Sequence, residues 1–71
     1  MPMSPAFKVG QWVKHRAPTG HDNWPVGMVV AHEVYTSIAG SGVWYYVRFI
    51  DPDGVADKEP VRLAELEVEA A

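Results

Sequence analysis

The alternation of apolar and polar positions is clearest at residues 43–50, Val-Trp-Tyr-Tyr-Val-Arg-Phe-Ile. β-Branched and aromatic residues dominate this segment and turn-forming residues flank it, so it predicts a strand. At a period of two, one face carries Val43, Tyr45, Val47 and Phe49, and the other carries Trp44, Tyr46, Arg48 and Ile50. Both faces are largely apolar, which indicates that the domain's core covers one and a partner surface covers the other.

Four further strands are predicted around this central one. We expect a strand at residues 11–16, a longer one at 27–35 with a bend or bulge near Ala31, an edge strand at 55–61 and a last strand at 67–69. A loop at 17–25, a flexible connection at 36–42 and a turn at 51–54 separate them, and one 3₁₀ turn is expected at 62–66. The expected fold is all-β, a small closed or nearly closed barrel. Its predicted core is Val13, Val29, Val47, Phe49, Val61, Leu63 and Leu66.

Length and composition indicate one ordinary globular domain. The chain has 71 residues, 48% of them hydrophobic and 21% charged, and no cysteine. We expect a flexible leader at 1–6, the barrel at 7–69 and a short tail at 70–71. A domain this small buries only about 60% of its unfolded surface, and no disulfide adds stability, so oligomerisation is the remaining stabilising device.

Charge is unevenly distributed along the chain. Residues 1–50 carry four basic and two acidic side chains, a net charge of +2, whereas residues 51–71 carry two basic and seven acidic ones, a net charge of −5. An acidic domain repels a phosphate backbone at long range, which disfavours nonspecific nucleic-acid binding. No apolar run is long enough to span a membrane and no signal-peptide pattern is present, so the expected location is cytoplasmic.

Four short motifs together resemble a known barrel type. They are Phe7-x-x-Gly10-x-x-Val13, Trp24-x-x-Gly27-x-Val29, Tyr46-Val47-Arg48-Phe49 and Leu63-x-x-Leu66-Glu67. This pattern, over residues 7–69, resembles the small SH3-like barrels of prokaryotes. Among these are the Tudor-like tails of DNA-repair helicases, the SH3-like component of photosystem I and the plasmid-borne type B dihydrofolate reductases. The resemblance implies a five-stranded SH3-like barrel with one short 3₁₀ turn before the last strand, in which the Leu63 and Leu66 turn closes the open end.

The resemblance implies binding more than catalysis. In the type B reductases a Val-Gln-Ile-Tyr segment before Pro-Val contacts substrate and nicotinamide in a pore shared by four subunits. Here residues 56–59 before Pro60-Val61 read Ala-Asp-Lys-Glu, so a reductase-like oligomer would lack the catalytic motif. The photosystem I component, which is similar through its loop tryptophan and its Val-Arg-Phe strand, binds proteins and has no catalytic role.

Catalytic and metal-binding motifs are missing from the sequence. It contains no glycine-rich phosphate loop, no cysteine nucleophile and no Gly-x-Ser-x-Gly. The spacings of His15, His21 and His32 match no metal motif. We therefore expect no enzymatic activity, no cofactor and no metal.

An outward-facing aromatic and basic set is the candidate binding surface. If Val13 and Val47 point inward, period two places the neighbouring rings and cations outward, and a loop tryptophan joins them. The set is Trp12, Lys14, Arg16, Trp24, Trp44, Tyr46 and Arg48. Tryptophan, tyrosine and arginine are enriched at protein interfaces, which favours a protein partner or self-association as a homo-oligomer.

Three alternatives for this set remain. The rings could stack on single-stranded nucleic acid in an accessory domain, with Lys14, Arg16 and Arg48 contacting phosphates. They could instead form a second small core, if the curved strands and the long loop fold over the rings. Trp24 could contribute to a cage for a methylated cation, although packing across the barrel mouth is favoured.

Overall fold

Five antiparallel strands form a single sheet in the computed structural model. The structure describes residues 5–16, 26–50, 53–56 and 59–71. The strands are β1 (Trp12–His15), β2 (Val26–Ser37), β3 (Gly40–Ile50), β4 (Val61–Ala64) and β5 (Val68–Ala70), and a 3₁₀ turn (Glu65–Glu67) directly precedes β5. The strand order is β4-β3-β2-β1-β5. The predicted all-β class with five strands and one 3₁₀ turn before the last is confirmed.

The sheet is curved, but hydrogen bonds do not close it into a barrel. Within the described ranges no ladder joins β4 to β5, the two ends of the strand order. Leu63 of β4 and Val68 of β5 nevertheless belong to one buried cluster. The two end strands therefore contribute side chains to one core without pairing with each other.

A bulge in β2 divides that strand into two halves. Val29 pairs with Val47 and Ala31 pairs with Tyr46, so Val30 is an extra residue without an opposite partner. This confirms the predicted irregularity near Ala31. Because one inserted residue reverses the alternation, odd-numbered residues of β2 face the core before the bulge and point away from it afterwards.

The connection between β2 and β3 is tighter than the sequence suggested. Pairing continues to Ser37 opposite Gly40, so the predicted flexible connection at 36–42 is wrong and only Ile38 and Ala39 form the loop. Gly40 adopts a φ of 131°, and the Ser37 hydroxyl donates a hydrogen bond of 3.1 Å to its carbonyl oxygen. Glycine serves this position because its φ is sterically unfavourable for other residues.

The strand that returns along β3 begins later than predicted. Ala56 makes only an isolated bridge with Ile50, and the paired strand is β4, opposite Trp44 to Val47. Pro60 precedes β4 and has no amide hydrogen to donate, which explains why the ladder starts after it. The predicted strand at 55–61 is thus wrong, and the last strand is displaced by one residue from 67–69.

The buried core contains residues from every strand. Five predicted members are confirmed as buried: Val13, Val29, Val47, Phe49 and Leu63. Val61 is only partly buried and packs against them. The prediction that Leu66 belongs to the core is wrong, because Leu66 is 81% exposed. Since β4 continues to Ala64, the 3₁₀ turn starts later and Leu66 points to solvent instead of closing an open end. The core also contains Val43, Tyr45 and Val68.

The ends of the chain are partly held to the sheet. Ala6, placed in the predicted leader, donates its N–H to the Tyr45 hydroxyl, while residues 1–4 lie outside the described residues. Ala70 of the predicted tail belongs to β5, and Ala71 donates its N–H to the Trp12 carbonyl oxygen at 3.3 Å. In the described part of the chain, no helix has the length and apolar character needed to cross a membrane.

Leu63 and Leu66 provide a matched test of this core. Leu63→Ala removes a buried side chain and should lower the free energy of unfolding by about 2–5 kcal/mol, as large-to-small core substitutions do. Leu66→Ala should change it by no more than about 0.5 kcal/mol because Leu66 is exposed. Urea denaturation followed by circular dichroism measures both values. Equal losses for the two variants would contradict the arrangement of the 3₁₀ turn.

Candidate functional site

The side of the sheet away from the buried cluster, here called the outer face, carries most of the candidate residues. In β3, buried residues alternate with half-buried Trp44, Tyr46 and Arg48, which point outward. Facing residues of neighbouring strands share a side, so the β2 and β4 neighbours of these three are also on the outer face. Those neighbours are Met28, Ala31, Glu33, Arg62 and Ala64.

Trp44 is held between an aromatic ring and a guanidinium. The Tyr35 ring stacks on it with ring centroids 5.7 Å apart and planes inclined by 29°. The Arg62 guanidinium carbon lies 4.4 Å from the centroid of the Trp44 ring, within range of a cation–π contact. The three side chains come from β2, β3 and β4 and form an ordered stack across the sheet.

Gly42 makes room for this stack. It faces Tyr35 across the ladder, and a Cβ atom at position 42 would collide with the Tyr35 ring and hydroxyl. A glycine in a strand leaves a gap that a cross-strand aromatic ring can cover, and Tyr35 fills this one. The flexible-looking Gly40-Ser41-Gly42 segment is therefore a strand because of a long-range side-chain contact.

Tyr46 completes the middle of the outer face. Its hydroxyl donates a long hydrogen bond of 3.4 Å to the Glu33 carboxylate. Arg62 lies opposite Tyr46 in β4, and Ala31 lies opposite it in β2. Tyr46 is therefore a half-buried ring whose hydroxyl is bonded to a carboxylate of the neighbouring strand.

The remaining candidates lie at the β1 side or outside the described residues. Trp12 faces Met28 and is 44% exposed. Lys14 forms an ion pair of 3.7 Å with Glu69, and Arg16 is exposed while its backbone N–H donates to the Glu67 carbonyl oxygen at 2.8 Å. Trp24 and the predicted loop at 17–25 lie outside the described residues.

The structure groups Trp44, Tyr46 and Arg48 on one strand and leaves Trp12 and Lys14 two strands away. It also adds Tyr35 and Arg62, which the candidate set from the sequence did not include. The side of the sheet that Tyr35 faces depends on the position of the bulge, which the sequence did not fix. Arg62 falls in the segment predicted as a helical turn. Among the described residues, the main contacts between elements run along the sheet or between β3 and the 3₁₀ turn, and none brings a second layer over the outer face.

A shallow pocket opens beside the stack. β4 ends at Ala64 while β3 continues toward Gly40, and the resulting notch has a volume of about 300 Å³. Its lining is Tyr35, Ser41, Gly42, Val43, Ala64, Glu65 and Leu66. The lining is mainly apolar, and Glu65 is its one charged residue.

The Glu65 carboxylate is already engaged by a buried tyrosine. The Tyr45 hydroxyl donates a hydrogen bond of 2.7 Å to Glu65 Oε1 and accepts one of 2.9 Å from the Ala6 N–H. Phe7 packs edge-on against the Tyr45 ring at 5.3 Å between centroids. Burial and the bond to Glu65 raise the pKa of Tyr45 above its ordinary value, because both disfavour the phenolate.

Metal binding finds no support in the described ranges. Among them, no group of three or more histidine, cysteine, aspartate or glutamate side chains is placed to hold an ion. His15 lies 3.8 Å from a Glu67 carboxylate oxygen, His32 is exposed on β2, and His21 is outside the described residues.

Comparison with known proteins gave no match: no family model, no curated protein and no solved structure is significantly similar to this chain. Function is therefore inferred from the geometry of the outer face.

The raised pKa of Tyr45 predicts a pH-dependent contribution to stability. Below the unfolded-state pKa of about 10, both states keep the proton and the contribution is complete. As the pH rises further, the unfolded chain loses the proton first, so stability falls until the folded-state pKa is passed. Tyr45→Phe should lower the free energy of unfolding by about 1–3 kcal/mol at neutral pH and remove this alkaline loss.

Denaturation of the native chain and the Tyr45→Phe variant between pH 7 and 11 measures the difference. Tyr35→Phe is the control, since Tyr35 lies on the exposed side of the sheet. Parallel alkaline stability curves for the native chain and Tyr45→Phe would contradict the raised pKa.

Proposed function

We propose that this chain is a small non-enzymatic protein-binding module of SH3-like architecture whose outer face contacts a protein surface, a second copy of the chain included. The observation that carries the proposal is the stack of Tyr35, Trp44 and Arg62. It orders three interface-type side chains on a sheet surface, so they lose little further conformational freedom on binding. The strand order, the 3₁₀ turn before β5 and the single cluster joining both end strands support the SH3-like architecture.

The charges favour a protein over a nucleic acid. Lys14 is paired with Glu69, and Arg62 lies over the Trp44 ring. Glu33 lies within the face beside Tyr46, and the whole chain has a formal net charge of −3. Nucleic-acid binding depends on neutralising phosphates with available cations, which this arrangement restricts. A mixed face of rings, guanidinium and carboxylate is typical of protein interfaces.

The exposed area limits how strongly the face can bind. Trp44 and Tyr46 are already half-buried, so each has about 50–80 Å² left to cover, which corresponds to ~1–2 kcal/mol of gross hydrophobic energy. Association costs about 4–15 kcal/mol in lost translational and rotational freedom. These two rings alone support only a weak contact, and Trp12 and Tyr35 are the neighbours that would extend it.

The structure adds no support for the interpretation as a reductase-like oligomer. Of the segment that replaces the catalytic motif, Ala56 bridges Ile50 and Glu59 is exposed, while residues 57 and 58 lie outside the described residues. We therefore propose no catalytic role for this segment.

Self-association through the outer face can be measured by light scattering over a range of concentrations. A Trp44→Ala and Tyr46→Ala double variant should have a lower average mass than the native chain at the same concentration, because it loses the central rings. The control is a Val9→Ala and Val55→Ala double variant, which removes exposed apolar groups elsewhere. A native chain that is monomeric throughout, together with a double variant that unfolds, would show that the rings serve folding and not binding.

Nucleic-acid binding is tested by titrating labelled single-stranded and duplex oligonucleotides at two salt concentrations. We expect no binding that weakens steeply with salt, because cations of the face are paired with protein groups. Substituting Arg48 and Arg62 with glutamine provides the matched variant. Salt-dependent binding lost in this variant would favour the nucleic-acid accessory domain and contradict the protein-binding proposal.

A further inference from the structure

One edge of β2 has no partner strand beyond Val29 in the described part of the chain. β1 pairs with β2 at Gly27 and Met28, and backbone hydrogen bonds extend this contact to Val29, which donates to the Gln11 carbonyl oxygen at 3.0 Å. β3 follows β2 on its other edge as far as Ser37. From Val34 to Ser37 the hairpin is a two-stranded arm, and the free edge of β2 runs along it from Ala31.

Alternate backbone N–H and C=O groups of this edge point away from β3. A two-residue loop makes Ser37 and Gly40 a hydrogen-bonded pair, so every second residue back to Ala31 bonds to β3. The amide and carbonyl groups of His32, Val34 and Thr36 consequently point toward the free edge. None of the backbone hydrogen bonds of turns and loops within the described ranges uses them.

This edge lacks the usual devices that prevent strand addition, whereas the two end strands have them. β4 has four residues, follows Pro60 and contains Arg62, and β5 has three residues and contains Glu69. Short length, proline and charge are the features that block edge pairing. The segment from Ala31 to Ser37 has no proline, lysine or arginine, its only carboxylate is Glu33, and Val34 is 43% exposed.

We propose that the free edge of β2 pairs with the same edge of a second copy of this chain, in an antiparallel register centred on Val34. This inference rests on the proposed protein-binding function and names its partner. The register places Val34 opposite Val34, His32 opposite Thr36 and Glu33 opposite Tyr35. It uses the edge from Ala31 to Ser37 and forms about six backbone hydrogen bonds, two at each hydrogen-bonded pair.

Symmetry and charge select this register. Two identical antiparallel neighbours in one sheet are related by a twofold axis perpendicular to it, so a symmetric register must be centred on a residue. A register centred on Glu33 places two carboxylates directly opposite each other, which is unfavourable. Registers centred on His32 or Tyr35 use a shorter part of the edge. The register centred on Val34 is the longest and opposes no like charges.

The same twofold axis connects the edge to the outer face. Because the axis is perpendicular to the sheet, both copies present their outer faces on the same side. The Tyr35 and Trp44 stacks of the two copies then lie near each other on one continuous surface. Pairing therefore doubles the aromatic surface offered to a further protein and compensates for the small area left on each Trp44 and Tyr46 ring.

The edge is tested by placing a charge at the twofold axis. In Val34→Lys two ammonium groups would face each other across the interface, so the dimer dissociation constant should rise at least about tenfold. Ile38→Lys is the matched control: it adds the same charge at a fully exposed loop residue beyond the paired edge and should leave the constant unchanged. Analytical ultracentrifugation gives both constants, and circular dichroism checks that each variant is folded.

Disulfide trapping tests the register independently of affinity, since the chain contains no cysteine. Directly opposed residues have Cα atoms about 5.5 Å apart, within reach of a disulfide, so Val34→Cys should form an oxidised dimer. Thr36→Cys should not, because its symmetry mate would lie roughly 13 Å away along the strand. Trapping at Thr36 but not at Val34 would overturn the proposed register.

The remaining outcomes separate this inference from the function on which it rests. A dimer that survives Val34→Lys but is lost in the Trp44 and Tyr46 double variant would overturn edge pairing and retain the outer face as a self-association surface. A native chain that stays monomeric at every concentration would also overturn edge pairing and leave the outer face to a different protein. A dimer lost in Val34→Lys and retained in Ile38→Lys supports the inference.

Discussion

The buried hydroxyl of Tyr45 connects three parts of the chain that are far apart in sequence. Its ring lies in the core on the central strand. Its hydroxyl accepts a hydrogen bond from the Ala6 N–H and donates one to the carboxylate of Glu65, the first residue of the 3₁₀ turn. A buried hydroxyl without partners would be costly, so these bonds constrain both segments. Glu65 directly follows the last residue of β4, so its bond to Tyr45 fixes where the chain leaves that strand. The place where β4 ends in turn determines the notch beside Val43 and the exposure of Leu66.

The bulge at Val30 decides which side chains form the outer face. Before it, Val29 faces the core opposite Val47, and after it Glu33 and Tyr35 face outward opposite Trp44 and Gly42. Without the inserted residue, the alternation would point Tyr35 inward and leave the Trp44 ring without its stacking partner. The same bulge lies where β1 stops pairing, so it also marks the start of the free edge of β2.

The outer face and the free edge are the two parts of this small sheet that no other described element covers. In the described part of the chain, the main contacts between elements bring no second layer over the outer face, and the edge of β2 beyond Val29 has no partner strand. The two end strands are short and carry charges, which disfavours strand addition there. The proposed interaction surface lies beside this permissive edge, which is the arrangement expected if a further protein chain covers the sheet.

The sequence by itself determined the all-β class, the central strand with its two faces, the irregularity near Ala31 and most of the core. These features follow from local rules, namely the period of two, β-propensity and the length limit on strands. Only the tertiary structure decided the pairing of β4, the burial of Val68 and the exposure of Leu66. A shift of one residue in where a weak strand pairs reverses its faces, and no local signal fixes that register.

The candidate site divides in the same way. The outward direction of Trp44, Tyr46 and Arg48 could be read from the central strand, since alternation there is uninterrupted. The stack with Tyr35 and Arg62 could not, because it depends on the bulge in one neighbouring strand and the late start of the other. Side-chain direction within a strand is a local property, whereas contact across strands depends on register, and register is set by the packing of the whole sheet.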